Sequence, residues 1–257
     1  VLDFSRIERI NAEFRETQKN TQDPIPDSVE HLTTEQREAW RSILSSAASA
    51  EGEEEHMVRP LVDFFAFAPA ISAYVNLHAA DELRHAKQIK TYLYETFGYV
   101  KTQKTLSDRI IYDQIFARLH NLILKRPLPF IATLLFYEIF AEDFYAQLRS
   151  KAETMNLPQL TCYLRGIQKD ELRHRAGVKW LFSYWGQSNL PVYKSDVFWM
   201  NLMIFIVKMD ISASWWAFWN RRLRRSLKTL DIQPDYFSEK ASAYSRIAEQ
   251  EIAVLRQ

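Results

Sequence analysis

The sequence predicts an all-α fold. Five glycines and nine prolines punctuate 257 residues, and alternating Val/Thr-rich runs are few. Apolar residues instead recur at spacings of three and four, the period of a helix face. A chain of this length can bury a sizeable core as one domain over 1–257. With 33 basic and 32 acidic residues the net charge is +1, which gives no reason to expect a nucleic acid partner. The one cysteine, Cys162, cannot form an internal disulfide and suits a reducing compartment, where it is expected to pack as a small apolar residue.

The opening "VLDFSRIERINAEF" has no apolar signal core and reads as an amphipathic helix, so the cytoplasm is the default location. "NTQDPIPDS" follows as a proline-bearing linker. Thr34 begins a helix with acidic residues in its first turn. Trp40, Leu44, Ala47, Glu51, Glu54, Val58 and Leu61 fall on one stripe of it, and Pro60 is a candidate kink. The next helix runs from near Pro69 to about Phe97, with Val75, His78, Glu82, His85, Ile89 and Tyr92 on one face. A connecting helix is expected at 105–125, ended by "KRPLP".

A further helix, about 128–153, presents Ile131, Leu135, Glu138, Glu142 and Tyr145. After the turn "ETMNLP" another, about 158–184, carries Leu164, Ile167, Glu171, His174 and Val178. Helices at about 193–228 and 235–256 complete the chain as an extension over 193–256. The middle, about 34–185, is thus two helical hairpins, a four-helix bundle with additional N-terminal, connecting and C-terminal helices. The apolar segment 197–219 matches a membrane span in length, but Lys208 and Asp210 sit at its centre, where each is costly. A buried or homodimer-forming helix is the expectation, with contact to a lipid or apolar substrate as the alternative.

The pentapeptide "DELRH" occurs twice, at 81–85 and 170–174. In each copy Glu and His are three residues apart and share a helix face, and the stripes above make that face the inward one. Burying unpaired carboxylates is costly. The preceding helix of each hairpin adds an inward glutamate, Glu51 lying 31 residues before Glu82 and Glu138 lying 33 before Glu171. An antiparallel hairpin folds positions so separated back to one level. Four carboxylates and two imidazoles then converge, and two divalent irons would neutralise the four negative charges. Mixed oxygen and nitrogen ligation suits iron or manganese, whereas structural zinc favours cysteines. The alternative is a pair of exposed, salt-bridged helical turns, against which the inward stripes argue.

This pattern resembles the ferritin-like di-iron carboxylate superfamily, in which each hairpin supplies Glu and then Glu-x-x-His. "DELRHAKQIKTYLY" and "LRGIQKDELRHRA" are similar to segments of soluble acyl-carrier-protein desaturases. The Asp-Glu-x-x-His form is similar also to the ribonucleotide reductase small subunit. The resemblance covers about residues 35–185. It implies Glu51, Glu82, His85, Glu138, Glu171 and His174 as metal ligands, with Glu82 and Glu171 bridging. Glu54 and Glu142 share the stripes, at gaps of 28 and 29, and are the alternatives to Glu51 and Glu138. With Glu138 as ligand, Glu142 lies one turn away, as a candidate catalytic group handling oxygen or protons or as a hydrogen-bond partner of the ligands.

Metal-bound histidines usually donate their second N–H to an acceptor, and in the resembling families the Asp before each ligand Glu serves the histidine of the opposite motif. Asp170 is thereby expected to orient His85, and Asp81 to orient His174, with Arg84 and Arg173 either pairing with these acids or solvated. His78, one turn before Glu82, reads as a seventh ligand or, more simply, as a satisfied core residue. The added histidine of amine-oxidising members belongs to the other motif, where this chain has Ile167. Ile89 occupies the position expected of a radical-storing tyrosine. The resemblance therefore implies a dioxygen-dependent oxygenase, desaturase or N-oxygenase with two Fe ions (or a Mn/Fe pair). It would act on a small or lipid-like organic substrate and draw on an external electron donor. Phe64, Phe65, Phe136, Phe140 and Phe144 are candidates for an apolar lining or, more simply, for plain core. A rubrerythrin-like peroxide- or iron-handling protein, and a helical partner-binding protein, are the other readings.

Overall fold

The structure is a computed structural model that describes residues 4–20, 23–98, 125–188, 190, 192–211 and 221–253, with only the backbone described at 20, 53–57, 194, 206–211, 221, 234, 238, 248–249 and 251–253. Every regular element among them is a helix: α1 (Ser5–Asn20), α2 (Thr34–Phe64), α3 (Pro69–Phe97), α4 (Leu128–Thr154), α5 (Pro158–Gln187), α6 (Lys194–Ile211), α7 (Arg221–Thr229) and α8 (Pro234–Ala253). The helix expected at 105–125 lies outside the described residues. So does 212–220, within the stretch expected as one helix over 193–228.

Local chemistry sets the boundaries. Thr33 caps α2 in a reciprocal box with Gln36, whose backbone N–H reaches the Thr33 hydroxyl at 3.2 Å while its own side chain accepts from the Thr33 N–H at 2.9 Å. α2 continues through Pro60. Prolines open α3 and α5 at their first position, where no N–H is needed. Gly98 ends α3 at φ 75°, a conformation that favours glycine. Asn156 makes the tight α4–α5 turn at φ 53°, and asparagine tolerates that region better than most residues.

The helices pair as two hairpins, α2 on α3 and α4 on α5, joined through contacts of α3 with α5 and of α2 with α4. α1 lies across α3 and α5, α6 and α8 flank α4, and α7 packs on α2. The stripes expected to face inward do so. Trp40, Leu44, Val75, Ile89, Ile131, Leu135, Leu164 and Val178 are all buried. The proline-bearing linker is pinned rather than slack. Asp27 accepts from the Gln159 and Leu160 N–H groups at 3.0 and 2.8 Å and from the Tyr92 hydroxyl at 2.8 Å, and so satisfies the orphan donors opening α5.

One expectation is corrected. Cys162 is exposed on α5 rather than packed in the core: it falls on the face opposite Leu160, Leu164 and Ile167. The phenylalanines read either as an apolar lining or as plain core pack against aromatic neighbours, Phe64 and Phe140 being partly buried. Phe64 stacks on Trp185 at 5.6 Å, Phe65 meets the same ring edge-on, Phe136 meets Tyr244, and Phe140 and Phe144 meet Phe237. α6 buries Met200, Met203 and Ile204 while exposing Phe198, Trp199 and Phe205. Among the described residues no helix is long and apolar enough to cross a membrane.

Candidate metal centre

The four helices of the hairpins bring seven ligand-type side chains into two overlapping groups. One is His78, Glu82, Glu138 and His174; the other is Glu51, Glu82, His85 and Glu171. Within each group one ligand atom from every residue lies within 4.8 Å of the others. All seven residues are at most 5% exposed. Glu82 belongs to both groups. Glu171 faces both ends, one carboxylate oxygen 3.6 Å from His85 Nδ1 and the other 3.6 Å from His174 Nδ1. All six residues expected as ligands therefore meet at mid-bundle, and the repeated pentapeptide lies at its heart.

His78 is the addition. Instead of a satisfied core histidine, it places Nε2 2.8 Å from Glu138 and 3.2 Å from Glu82. Its ring stacks on His174 with centroids 3.9 Å apart. Its signal in the sequence is His-x-x-x-Glu-x-x-His, three positions on one helix face. Glu142 is not one of the grouped ligand candidates. It is about a quarter exposed and binds Arg175 at 2.6 Å. Four residues turn a helix about 40° past a full revolution, which is enough to aim Glu142 at the arginine following His174. The side chain of Glu54 lies outside the described residues.

The charged letters of each pentapeptide form a surrounding layer. His85 Nε2 lies 3.1 Å from Asp170, and His174 Nε2 is 3.6 Å from Asp81, so each aspartate faces the histidine of the opposite motif. Arg84 ties the two copies together, donating to Asp81 at 3.1 Å and to Asp170 at 2.6 Å. Arg173 also pairs with Asp170 and donates to Thr17 at 2.8 Å. Neither arginine is simply solvated. Two aspartates against two arginines leave this layer neutral, and the four inner carboxylates remain to be balanced by something else.

Several supporting residues carried no functional signal in the sequence. From α1, Gln18 donates to Asp81 at 3.0 Å and Phe14 stacks on the His174 ring at 5.4 Å. The Tyr145 hydroxyl donates to Glu51, and Tyr163 donates to the His85 carbonyl at 3.1 Å. Such contacts depend on how helices register in space, which periodicity along one helix does not reveal.

Electrostatics shows how costly the cluster is on its own. Burial first, and the neighbouring Glu82 carboxylate next, push Glu51 up to about 7. Burial pushes Glu171 well above the ordinary carboxylate range. Burial acts the same way on Glu82 and Glu138, but the imidazoles of His174 and His78 outweigh it and hold both below the usual value. Burial disfavours charge on His174, yet Glu138 and Glu82 keep it well above the ordinary imidazole value. His78 and His85 are raised against burial in the same manner, by Glu138 and Glu51. Protons therefore sit where a cation would otherwise be needed.

The donor set fits divalent metal. Glu82 Oε1, both Glu138 oxygens, His78 Nε2 and His174 Nδ1 crowd together at N–O separations of 2.8 to 3.4 Å, and Glu171 stands 3.6 Å from two imidazoles, yet these buried atoms miss hydrogen-bond geometry, an arrangement normally costly. Four carboxylates and three imidazoles form a mixed oxygen and nitrogen donor set that could hold a metal ion. Comparisons with family models, with curated proteins and with solved structures returned no match.

Proposed function

We propose that the chain is a ferritin-like di-iron protein and a dioxygen-dependent oxidoreductase, an oxygenase, desaturase or N-oxygenase acting on a small or lipid-like organic molecule. The observation that carries this reading is the pair of buried ligand groups sharing Glu82. Two divalent cations match the four inner carboxylates in charge, and Glu-x-x-His on α3 and α5, each preceded by a glutamate on α2 or α4, is the ligand pattern of that superfamily.

When bound, a ferrous pair supplies the electrons and the coordination positions with which dioxygen is activated. The chain's own residues do the rest. Glu51 and Glu138 would each hold one metal, and Glu82 and Glu171, which face both groups, would serve the pair. Asp170 accepts from the outward nitrogen of His85 at 3.1 Å, which fixes ring orientation and strengthens the donor nitrogen, and Asp81 faces that of His174 at 3.6 Å. Tyr145 keeps its proton on Glu51 and so orients that carboxylate. The packed bundle excludes water, which would quench a reactive oxidant. An open surface groove of about 630 Å³ between α2 and α3 is lined by Gly52, Leu83, Ala86, Lys87, Lys90 and Tyr94, and its exposed Leu83, Lys87, Lys90 and Tyr94 lie on the solvent side of α3. An external reductase would renew the electrons.

The burial of every ligand candidate also suits a metal protein that handles oxygen or peroxide without an organic substrate. Stopped-flow absorption on ferrous-loaded, initially anaerobic protein tests the reading. A transient visible absorption on mixing with dioxygen, decaying faster with an apolar or amine substrate, is the expected result. A transient indifferent to every organic compound but quickened by peroxide favours the second reading. Oxidation no faster than that of free ferrous ion sinks both.

A further inference from the structure

The two groups are not chemically equal. One offers two imidazoles and two carboxylates, His78, His174, Glu82 and Glu138. The other offers one imidazole and three carboxylates, His85, Glu51, Glu82 and Glu171. We infer that His78 sets an order of loading: ferrous or cobaltous ion fills the His78–His174 end first and more tightly, and the carboxylate-rich end second. This rests on the metal reading above and deepens it. The argument is donor chemistry, since imidazole nitrogen favours iron and cobalt over manganese, whereas carboxylate oxygen suits the harder manganese ion. The two ends would sort a mixture of these metals accordingly.

His78 is built as a ligand and not left over as packing. It is fully buried, and its Nε2 points at Glu138 and Glu82, 2.8 and 3.2 Å away, rather than at an outer acceptor. Its other nitrogen is held from outside. The Tyr74 hydroxyl donates to the main-chain oxygen of His174 at 2.9 Å, and its oxygen lies 3.3 Å from His78 Nδ1. With the phenol proton committed to that carbonyl, Nδ1 is left to donate to the phenol oxygen. A metal that displaces the Nε2 proton would then meet a lone pair already aimed at Glu138 and Glu82. The polarity is the reverse of His85 and His174, which turn Nδ1 inward and Nε2 toward an aspartate. Gly177 on α5 makes this support fit, because a Cβ there would overlap the Tyr74 ring.

Two measurements on metal-free protein kept anaerobic test the order. In the first, one equivalent of ⁵⁷Fe(II) is followed by one of natural-abundance iron, and then the sequence is reversed. Mössbauer spectra should show one quadrupole doublet in each case, the two doublets differing. The same mixture of two doublets in both orders overturns the inference, and this arm needs no variant. In the second, Co(II) titrations of the wild type should resolve two steps at least about tenfold apart. His78→Ala should weaken the first about 10- to 100-fold, merging the steps, while His85→Ala should spare the first and weaken the second. Equal steps in the wild type, or a first step untouched by His78→Ala, defeat the proposed order and leave the metal reading standing. No binding of either ion defeats both.

Discussion

Metal-free protein should lose thermal stability as the pH rises from about 4.5 to 7, and ferrous iron added without oxygen should reverse the loss. The sign follows from the raised groups. Glu51, pushed up to about 7 in the fold, holds its proton more tightly there than in the unfolded chain. Its stabilising contribution is complete below about 4.5 and gone by about 7. Glu171 acts in the same direction. The raised histidines contribute fully below about 6.5 and lose that contribution as the pH passes their folded values. Glu82 and Glu138 are lowered and lose their contribution only on acidification below about 4.5, outside this window. Metal takes the place of these protons, so its affinity climbs with pH over the same range. At a free metal concentration a thousandfold above the dissociation constant, binding adds about 4 kcal/mol, or a rise in Tm of about 8–16 °C for a chain of this size. Differential scanning calorimetry across pH, with and without Fe(II), checks both parts. Glu51→Gln should flatten part of the metal-free slope. A slope of the opposite sign in the metal-free protein, with no shift on adding metal, would show that the cluster carries no unmet charge.

Replacing Glu82 by alanine should cost both metals at once. Glu82 alone belongs to both ligand groups, so its loss leaves each end short of a carboxylate and leaves His78 and His174 facing one fewer anion. Changes to residues that only support ligands lower metal affinity 10- to 100-fold. Deleting a shared ligand should therefore weaken both sites at least about 100-fold. Glu51→Ala and Glu138→Ala should each weaken one site and spare the other. Glu142→Ala should leave binding alone, because its carboxylate is held by Arg175 outside the cluster. Isothermal titration with Co(II) reads all four. Tight binding of two metals by the Glu82 variant would mean that the groups are independent and that the bridge is wrong.

The candidate site was legible in the sequence where one helix face or one hairpin determines it. Glu82 with His85 and Glu171 with His174 follow from the three-residue spacing. Glu51 and Glu138 follow from hairpin separation. The crossed aspartates came from the family resemblance, and the structure brings Asp170 to His85 and Asp81 near His174. What lies between hairpins was less legible. His78 needs Glu138, from a helix of the other hairpin, to reveal that its ring faces a cluster. Tyr145 was read as inward, but its bond to Glu51 depends on the register of α4 against α2. α1 read as a plain amphipathic helix, yet Phe14 and Gln18 close one wall of the site. Glu142 stands at the edge of its stripe. A stripe drawn every three or four residues drifts around the helix, and its edge residue answers to a local arginine rather than to the core. The all-helical fold was legible because apolar periodicity repeats over many turns. Asp27, by contrast, closes α5 from a segment whose composition reads only as linker.

Whether the cluster holds two metals is tested most directly by counting and placing them. The protein would be loaded anaerobically with ferrous iron and desalted, its iron measured by mass spectrometry, and its crystals examined by anomalous diffraction at the iron edge. The prediction is two irons per chain, one at the His78–Glu138–His174 end and one at the Glu51–His85–Glu171 end, with Glu82 between them. Retention of no iron, or iron only at sites remote from Glu82, would contradict it and leave the repeated DELRH as a salt-bridge device locking two hairpins together.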